Sequence, residues 1–353
     1  MYESERSLTV DQSVSMMAKN IQVVSFDSDW REVYIGTVRR NVFIGVCAHE
    51  ALKKPDIMVK CTTKAEHVEP VVISCFKWCP LETCTILVLG SQFGVSFYDW
   101  DGKTLVYEHN FVENGIGCDA KTISGPQVRG IAAIGANLIA VGIHTGTILL
   151  FEISSDSTQL VCRIVDSQRR HIEPVSDVAS TSMMLHHAEK SSPSEVLVSG
   201  DELGRLNIWN LGSSGDGLVH RTSIDPDEKT GPVTAICLWN KVEQGVILSG
   251  FMNGSIKLFS ITSGKILVDI AAHGAWITGM DLASQSGVFV SCAEDGFIRV
   301  WQLSTTGKII EHRHSKPIQN LVMAGVKFID PRGVSLAMSS YDSRKIRIFS
   351  KKS

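Results

Sequence analysis

Short apolar runs separated by small polar turns recur along the whole chain. The runs are rich in Val, Ile and Phe, and Gly, Asp, Asn or Ser residues separate one run from the next. This alternation is typical of antiparallel β-strands that reverse in tight turns. Apolar residues at helical spacing are almost absent, so the pattern predicts an all-β chain.

The runs group into seven repeats. In most of them a small residue ends the second run, a turn follows, and a third run ends in an aromatic residue, as in LVSGDELGRLNIW (197–209) and FVSCAEDGFIRVW (289–301). The repeat length is roughly 40 to 60 residues, close to that of stacked four-stranded units. The equivalent turn positions are Gly36, Gly90, Gly142, Gly200, Gly250, Cys292 and Ser340. Seven such units predict a seven-bladed β-propeller.

A single propeller domain over residues 1–353 accounts for all of these repeats. The expected blades are 20–62, 67–111, 128–165, 171–224, 230–271, 273–312 and 314–350 plus 5–11. The last repeat supplies only three strands before the sequence ends. We therefore expect an N-terminal strand, within residues 5–11, to complete the last blade and cover its open edge.

Four residues of the sixth repeat match a known pattern: His273, Ser291, Asp295 and Trp301. Through them the chain resembles the WD-repeat (WD40) family of β-propellers, whose unit runs from a Gly-His loop through an S-x-D-G turn to a Trp-Asp pair. The chain departs from this pattern at Gln302, which follows the tryptophan, and at Leu203, which stands where the fourth repeat would have its turn aspartate. The resemblance implies a seven-bladed WD40-type fold.

A narrower resemblance, to the WD repeat-containing protein 54 family, runs the length of the chain. It rests on the ERS start, on AHGAWITGMDLAS with SCAEDGFIRVWQLS after it, and on the closing YDSRKIRIFS. This resemblance implies an intracellular, non-enzymatic interaction protein. It supplies no ligand pocket whose residues can be transferred to this chain.

The histidine, serine and aspartate of the sixth repeat also have the composition of a hydrolase triad. A nucleophilic serine has to be exposed beside its base, with donors aimed at the developing oxyanion. Ser291 instead lies within a predicted strand, and histidine recurs in the same phase at His67, His171 and His314. A catalytic site is not expected to recur around a ring. The sequence therefore predicts a buried structural tetrad and no enzyme.

Composition narrows the classes of partner. The formal net charge is -3 and no long basic run is present, which argues against nucleic acid as a partner. No window approaches the ~18 apolar residues of a membrane span, so no membrane insertion is expected. The nine cysteines lack a framework spacing, which is consistent with reduced thiols and a cytoplasmic protein. Phosphate-binding glycine motifs are absent as well, and no cofactor is predicted.

Three cysteines close together in the second repeat are the best candidates for a metal site. Cys75, Cys79 and Cys84 follow His67, but their spacing lacks a paired C-x2-C. Strand alternation would also place the thiols on different faces. Free, packed cysteines are the better interpretation, and no metal is predicted.

One group of apolar residues stands out at the predicted turns. Phe251 and Met252 occupy the tip of the fifth turn, where most turns are polar, and Trp276 enters the sixth repeat at a position that proline fills elsewhere. The corresponding prolines are Pro70, Pro174, Pro232 and Pro317. An exposed patch of these residues, extended by Phe93 and Tyr341, is predicted to bind a partner. The alternative is that the side chains fold inward and fill the channel mouth.

These observations predict a scaffold or adaptor that binds protein or peptide partners through its rim and channel-mouth loops. An alternative is a substrate-receptor subunit of a ubiquitin ligase complex, because related propellers use a W-D-x-R stretch for that purpose. The nearest string here is Trp100-Asp101-Gly102-Lys103, which departs at the final arginine.

Overall fold

The computed structural model describes residues 2–49, 52, 54–61, 71–116, 127–155, 159–184, 193–212, 217–225 and 229–352. These residues form 28 β-strands in seven antiparallel sheets of four strands each. The fold is all-β, and the sheets are the blades of a seven-bladed β-propeller. The alternation of β-branched residues and small turns therefore predicted the correct fold class.

One compact unit, made of Met1–Ile73 and Ala271–Ser353, contains three sheets. Their strands are β1 (Tyr2–Thr9), β2 (Gln22–Ser25), β3 (Val33–Arg39), β4 (Val42–Cys47), β5 (Ile57–Lys60), β22 (Ile277–Ala283), β23 (Val288–Ala293), β24 (Phe297–Leu303), β25 (Ile310–Pro317), β26 (Met323–Phe328), β27 (Ser335–Ser340) and β28 (Lys345–Lys351). The sheet orders are β2-β3-β4-β5, β22-β23-β24-β25 and β1-β28-β27-β26.

The N-terminal strand completes the last blade, as predicted. In the antiparallel pairing of β1 with β28, Arg6 lies opposite Ile348 and Leu8 lies opposite Ile346. Leu8 is buried in one apolar cluster with both isoleucines and with Ile35 of β3. The edge of β28 is therefore covered by the opposite end of the chain.

The second compact unit, Ser74–Ile270, contains the other four sheets, apart from single residues at its two ends. Their strands are β6 (Ile73–Pro80), β7 (Thr85–Ser91), β8 (Gly94–Asp99), β9 (Leu105–Asn110), β10 (Val128–Ile134), β11 (Leu138–Ile143), β12 (Thr147–Ser155), β13 (Leu160–Arg169), β14 (Val175–Met184), β15 (Pro193–Asp201), β16 (Leu206–Leu211), β17 (Leu218–Ile224), β18 (Val233–Trp239), β19 (Val246–Phe251), β20 (Ser255–Ser260) and β21 (Ile266–Ala271). Consecutive strands are neighbours in each of these four sheets.

Glycines at the repeat positions allow neighbouring sheets of this unit to approach closely. A Cβ atom at Gly142 of β11 would lie 2.4 Å from Val175, the first residue of β14. At Gly200 of β15 the corresponding distance, to Val233 at the start of β18, is 2.6 Å. Each valine fills the space that a side chain would take, so the repeated small residue is a packing requirement.

One expected blade boundary falls inside a strand. β25 extends through Pro317, and His314 lies opposite Val300 in the sixth sheet. A bulge between Val300 and Trp301 lengthens this outer strand, and the seventh sheet begins only at Met323. His314 therefore does not open the seventh repeat and is not equivalent to His273.

Candidate interaction site

A chain of hydrogen bonds joins the four tetrad residues of the sheet β22–β25. His273 precedes β22, and Nε2 of its ring lies 2.8 Å from Oγ of Ser291 in β23. The indole Nε1 of Trp301 in β24 donates to the same oxygen over 3.0 Å. Nδ1 of His273 lies 3.0 Å from a carboxylate oxygen of Asp295 in the intervening turn. The tetrad thus ties the entry loop to both strands of one hairpin.

Three of the four tetrad residues, His273, Ser291 and Trp301, are buried. Ser291 is fully buried, so its hydroxyl cannot reach a substrate. Burial lowers the pKa of His273, although Asp295 acts in the opposite direction. For Asp295, burial acts to raise the pKa, but His273 and the backbone N–H groups of Gly274 and Phe297 outweigh it and the pKa is lowered. An ionised aspartate therefore holds a neutral imidazole in place.

An equivalent network lies in the sheet β14–β17, where the sequence pattern missed its carboxylate. Nδ1 of His171 lies 2.8 Å from Asp201, and Nε2 lies 2.7 Å from Oγ of Ser199. Nε1 of Trp209 donates to that hydroxyl over 2.9 Å. Leu203 stands at the family's aspartate position, but Asp201 supplies the carboxylate from two residues earlier. Asp201 therefore supplies the carboxylate that is missing at Leu203.

In this sheet the network continues to the outer strand. Nδ2 of Asn207 lies 3.1 Å from Nε2 of His171, and its Oδ1 accepts a hydrogen bond of 2.7 Å from Ser223. The Ser223 hydroxyl lies 3.0 Å from Nε2 of His220 on β17. The His220 ring meets Trp209 edge-on at 5.3 Å between centroids. Polar contacts thus run from the buried tetrad to a half-buried histidine.

The sheet β22–β25 reaches its outer strand through different chemistry. Arg299 donates to Asp295 over 3.4 Å and to Oγ of Ser315 over 3.2 Å. Ser315 in turn lies 2.8 Å from Nε2 of His312, whose ring meets Trp301 edge-on at 5.1 Å. In this sheet the guanidinium of Arg299, which contacts Asp295, takes the place that the side-chain amide of Asn207 has in the sheet β14–β17.

Two of the predicted partner-binding residues, Trp276 and Tyr341, line the same pocket. The cavity has a volume of about 240 Å³. Its lining residues are Met16, Met17, Ala18, Trp276, Thr278, Glu294, Val322, Met323, Ala324 and Tyr341. Trp276 is 38% exposed and Tyr341 is 42% exposed, so both aromatic side chains are accessible. Trp276 and Tyr341 therefore lie together in one pocket within one compact unit, and their binding of a partner stays a prediction.

Backbone hydrogen bonds fix the two aromatic residues. The N–H of Glu294 donates to the carbonyl of Trp276 over 3.0 Å, and the N–H of Tyr341 donates to the carbonyl of Val322 over 2.8 Å. Val322 is thus the counterpart of Trp276 in the next sheet, whereas the sequence pattern predicted Pro317 at this position. The pocket is therefore lined by an apolar residue from the equivalent position of each of the two sheets.

A third wall comes from the segment between β1 and β2, which the sequence analysis did not include. Val14 of this segment pairs with Tyr341 in a parallel bridge, and the N–H of Lys19 donates to the carbonyl of Thr278 over 2.8 Å. Met16 lies between these anchor points and is 67% exposed. No local sequence signal marks it, because its position depends on pairing with distant residues.

The other predicted patch residues belong to the second compact unit. Phe251 is buried in an apolar cluster with Val233 and Phe259, so the expectation of an exposed phenylalanine is wrong. It is still part of β19, and the turn begins one residue later. Met252 is exposed, whereas Phe93 is half-buried before β8.

The string considered for ubiquitin-ligase recruitment forms a tight turn after β8. Lys103 is paired with the carboxylate of Asp101 within the turn itself. Trp100 is 40% exposed, and its carbonyl accepts a hydrogen bond from Nε1 of Trp78. Residues 100–103 therefore form a surface turn that is hydrogen-bonded to Trp78.

Neither a metal site nor a disulfide is found in the part of the chain that the structure describes. All eight cysteines of that part are free. No group of three or more His, Cys, Asp or Glu residues there could hold a metal ion. His67, named with the cysteines in the sequence analysis, lies outside the described residues. No helix of the described residues is long and apolar enough to cross a membrane.

Comparisons with known proteins cover the whole chain. The family model WDR54 matches residues 1–352. Human (Homo sapiens) WD repeat-containing protein 54 is 30% identical over 355 residues, and the match covers 99% of each chain. The mouse (Mus musculus) protein of the same name is 28% identical over 357 residues, again over 99% of each.

Solved structures share the fold at low sequence identity. A chain of the mitotic checkpoint complex superposes with a TM-score of 0.69 and 14% identity, covering 100% of this chain and 96% of that one. U3-55K superposes with a TM-score of 0.70 and 11% identity, covering 98% of both. Together with the family model over almost every residue, these findings show that the chain belongs to the WDR54 family and has a WD40 β-propeller fold.

Proposed function

We propose that this chain is a non-enzymatic, cytoplasmic adaptor that binds a protein partner through the pocket lined by Trp276 and Tyr341. WD40 propellers typically bind other proteins, which gives the general class of function. The observation that carries the specific proposal is that two accessible aromatic side chains line one apolar pocket.

The pocket has the properties of a binding hot spot. Tryptophan and tyrosine are enriched among the few residues that supply most of the affinity of an interface. Their backbones are held by hydrogen bonds to Glu294 and Val322, which limits the backbone entropy lost on binding. Three of the lining residues, Thr278, Met323 and Ala324, are buried, so the cavity is lined by packed residues of the fold as well as by exposed ones.

The same structure supports a non-enzymatic role in a reducing compartment. Ser291 is buried and engaged by His273 and Trp301, so the one triad-like arrangement in the sixth repeat lacks a reachable nucleophile. The free cysteines of the described residues fit the cytoplasm, where disulfides are rare.

Proximity labelling in cells with Trp276→Ala tests the proposal. The matched control is Trp100→Ala, because Trp100 has nearly the same exposure, 40% against 38%, and does not line the pocket. We expect Trp276→Ala to lose a set of labelled proteins that the parent and Trp100→Ala both retain, with the melting temperature unchanged. An identical labelled set for Trp276→Ala and the parent would contradict the proposal.

A further inference from the structure

We infer that the pocket receives a positively charged side chain, lysine or arginine, from a basic segment of the partner. This inference rests on the proposed function and adds the chemistry of the bound group. Glu294 is the only carboxylate among the ten described residues that line the pocket, and no lysine, arginine or histidine is among them. The lining is therefore apolar and aromatic with a single negative charge.

The acidic groups beside the pocket differ in whether their charge is already neutralised. Asp295 faces His273 and Arg299. Asp342, next to Tyr341, pairs with Arg39 at 3.5 Å and accepts a hydrogen bond from Ser13. Each of these two carboxylates thus has an internal partner.

Glu294 differs from both. Within the described part of the chain, no basic side chain forms an ion pair with its carboxylate. Its backbone N–H holds the carbonyl of Trp276, so the residue is fixed next to an aromatic wall while its side chain is exposed. A cation of the partner would provide the opposite charge that pairs with the Glu294 carboxylate.

The remaining walls suit the same occupant. Cations bind favourably over the faces of tryptophan and tyrosine, and Trp276 and Tyr341 both line the cavity. Lysine and arginine also carry long apolar stems that pack on methionine, here Met16 and Met17. An acidic group would find no complementary charge in the lining.

The size of the cavity argues for one side chain rather than a whole small molecule. Pockets that hold drug-sized ligands have volumes of about 300–1,000 Å³. This cavity, at about 240 Å³, is smaller and opens at the surface between exposed residues, Met16 and Val322 among them. A side chain can enter from a peptide that lies across the opening.

Binding of defined peptide pools to the full-length chain tests the inference. The probes are fluorescent nonapeptides with random uncharged flanks and a fixed central residue: lysine, arginine, norleucine or glutamate. Norleucine keeps the apolar stem of lysine without the charge. We expect the lysine and arginine pools to bind about five- to thirty-fold more tightly than the norleucine pool, as judged by fluorescence anisotropy.

Two variants assign this preference to the pocket. Glu294→Gln should reduce the preference for the cationic pools while leaving the affinity for the norleucine pool unchanged. The control Glu311→Gln, an exposed glutamate that does not line the pocket, should keep the preference. Higher ionic strength should reduce the preference in the parent and have little effect in Glu294→Gln.

The outcomes separate this inference from the proposed function. Equal binding of all pools, or a cation preference of unchanged size in Glu294→Gln, would overturn the inference; if Trp276→Ala still abolished binding, the proposed function would stand. If no pool bound, or if Trp276→Ala bound every pool as the parent does, both would be overturned.

Discussion

The sheets β14–β17 and β22–β25 contain the same four tetrad side chains but place the carboxylate differently. Asp201 follows Ser199 by two residues at the end of a strand, and its side chain is 2% exposed. Asp295 follows Ser291 by four residues in a turn, and its side chain is 13% exposed. The imidazole-to-carboxylate distances are nevertheless similar, 2.8 and 3.0 Å.

The comparison shows that the network depends on where atoms meet and not on a fixed spacing in the sequence. A carboxylate can reach the same imidazole nitrogen from the strand end or from the turn. The two solutions differ in water access, and removing a buried partner costs more where water cannot replace it. The two sheets should therefore respond differently to matched substitutions.

Replacing the two aspartates by alanine should give the largest difference. Asp201→Ala leaves the His171 ring and the N–H groups of Leu203 and Arg205 without their acceptor. We expect a loss of about 3–5 kcal/mol in the free energy of unfolding. Asp295→Ala should lose about 1–3 kcal/mol, because water can reach some of the abandoned donors. Urea denaturation of both variants measures the difference, and equal losses would contradict it.

The connection to the outer strand should give the next effect. Asn207 is fully buried, so Asn207→Ala should lose about 1–3 kcal/mol. Arg299→Ala should lose less than about 1 kcal/mol, since its contacts to Asp295 and Ser315 are long and partly solvated. The loss for Arg299→Ala should shrink in 1 M salt, as Debye screening requires, while that for Asn207→Ala stays the same. A salt-dependent loss for Asn207→Ala would argue against this assignment.

The fold was predictable from the sequence because its signals are local. Strand alternation and small turn residues recur in every repeat, and a last repeat with one strand too few required β1 to pair with β28. The tetrad at Trp301 was predictable for a similar reason, since its residues follow the family spacing.

The parts that were missed depend on register and on distant pairing. Spacing alone assigned Leu203 to the aspartate position, whereas the end of β15 brings Asp201 to His171. Alignment placed Phe251 on a turn, but the strand continues through it and buries it. Met16 reaches the pocket only because Val14 pairs with Tyr341, far away in the sequence.

Acid should weaken the sheet β22–β25 through His273. Burial lowers the pKa of this histidine in the folded state below its ordinary value of about 6.5. At a pH between these two pKa values, the unfolded chain therefore binds more protons at this residue than the folded chain does. The free energy of unfolding should then fall as the pH falls below about 6.5, and this contribution is fully present above it. His273→Gln should show a flatter dependence in urea denaturation between about pH 5.5 and 7.5. An unchanged slope would contradict the prediction.

The smallest effect should come from the outer histidines, where the two sheets are alike. His220 and His312 each contact the tetrad tryptophan edge-on and bond a serine three residues later. Phenylalanine keeps the ring contact and loses only a solvated hydrogen bond, so His220→Phe and His312→Phe should each change stability by no more than about 0.5 kcal/mol. Alanine removes the ring as well and should cost about 0.5–1.5 kcal/mol more. The two aspartate substitutions are expected to differ in the stability that they cost, whereas the two histidine substitutions are not. A clear difference in stability between the two phenylalanine variants would show that the two sheets differ in their outer strands and not at the carboxylates.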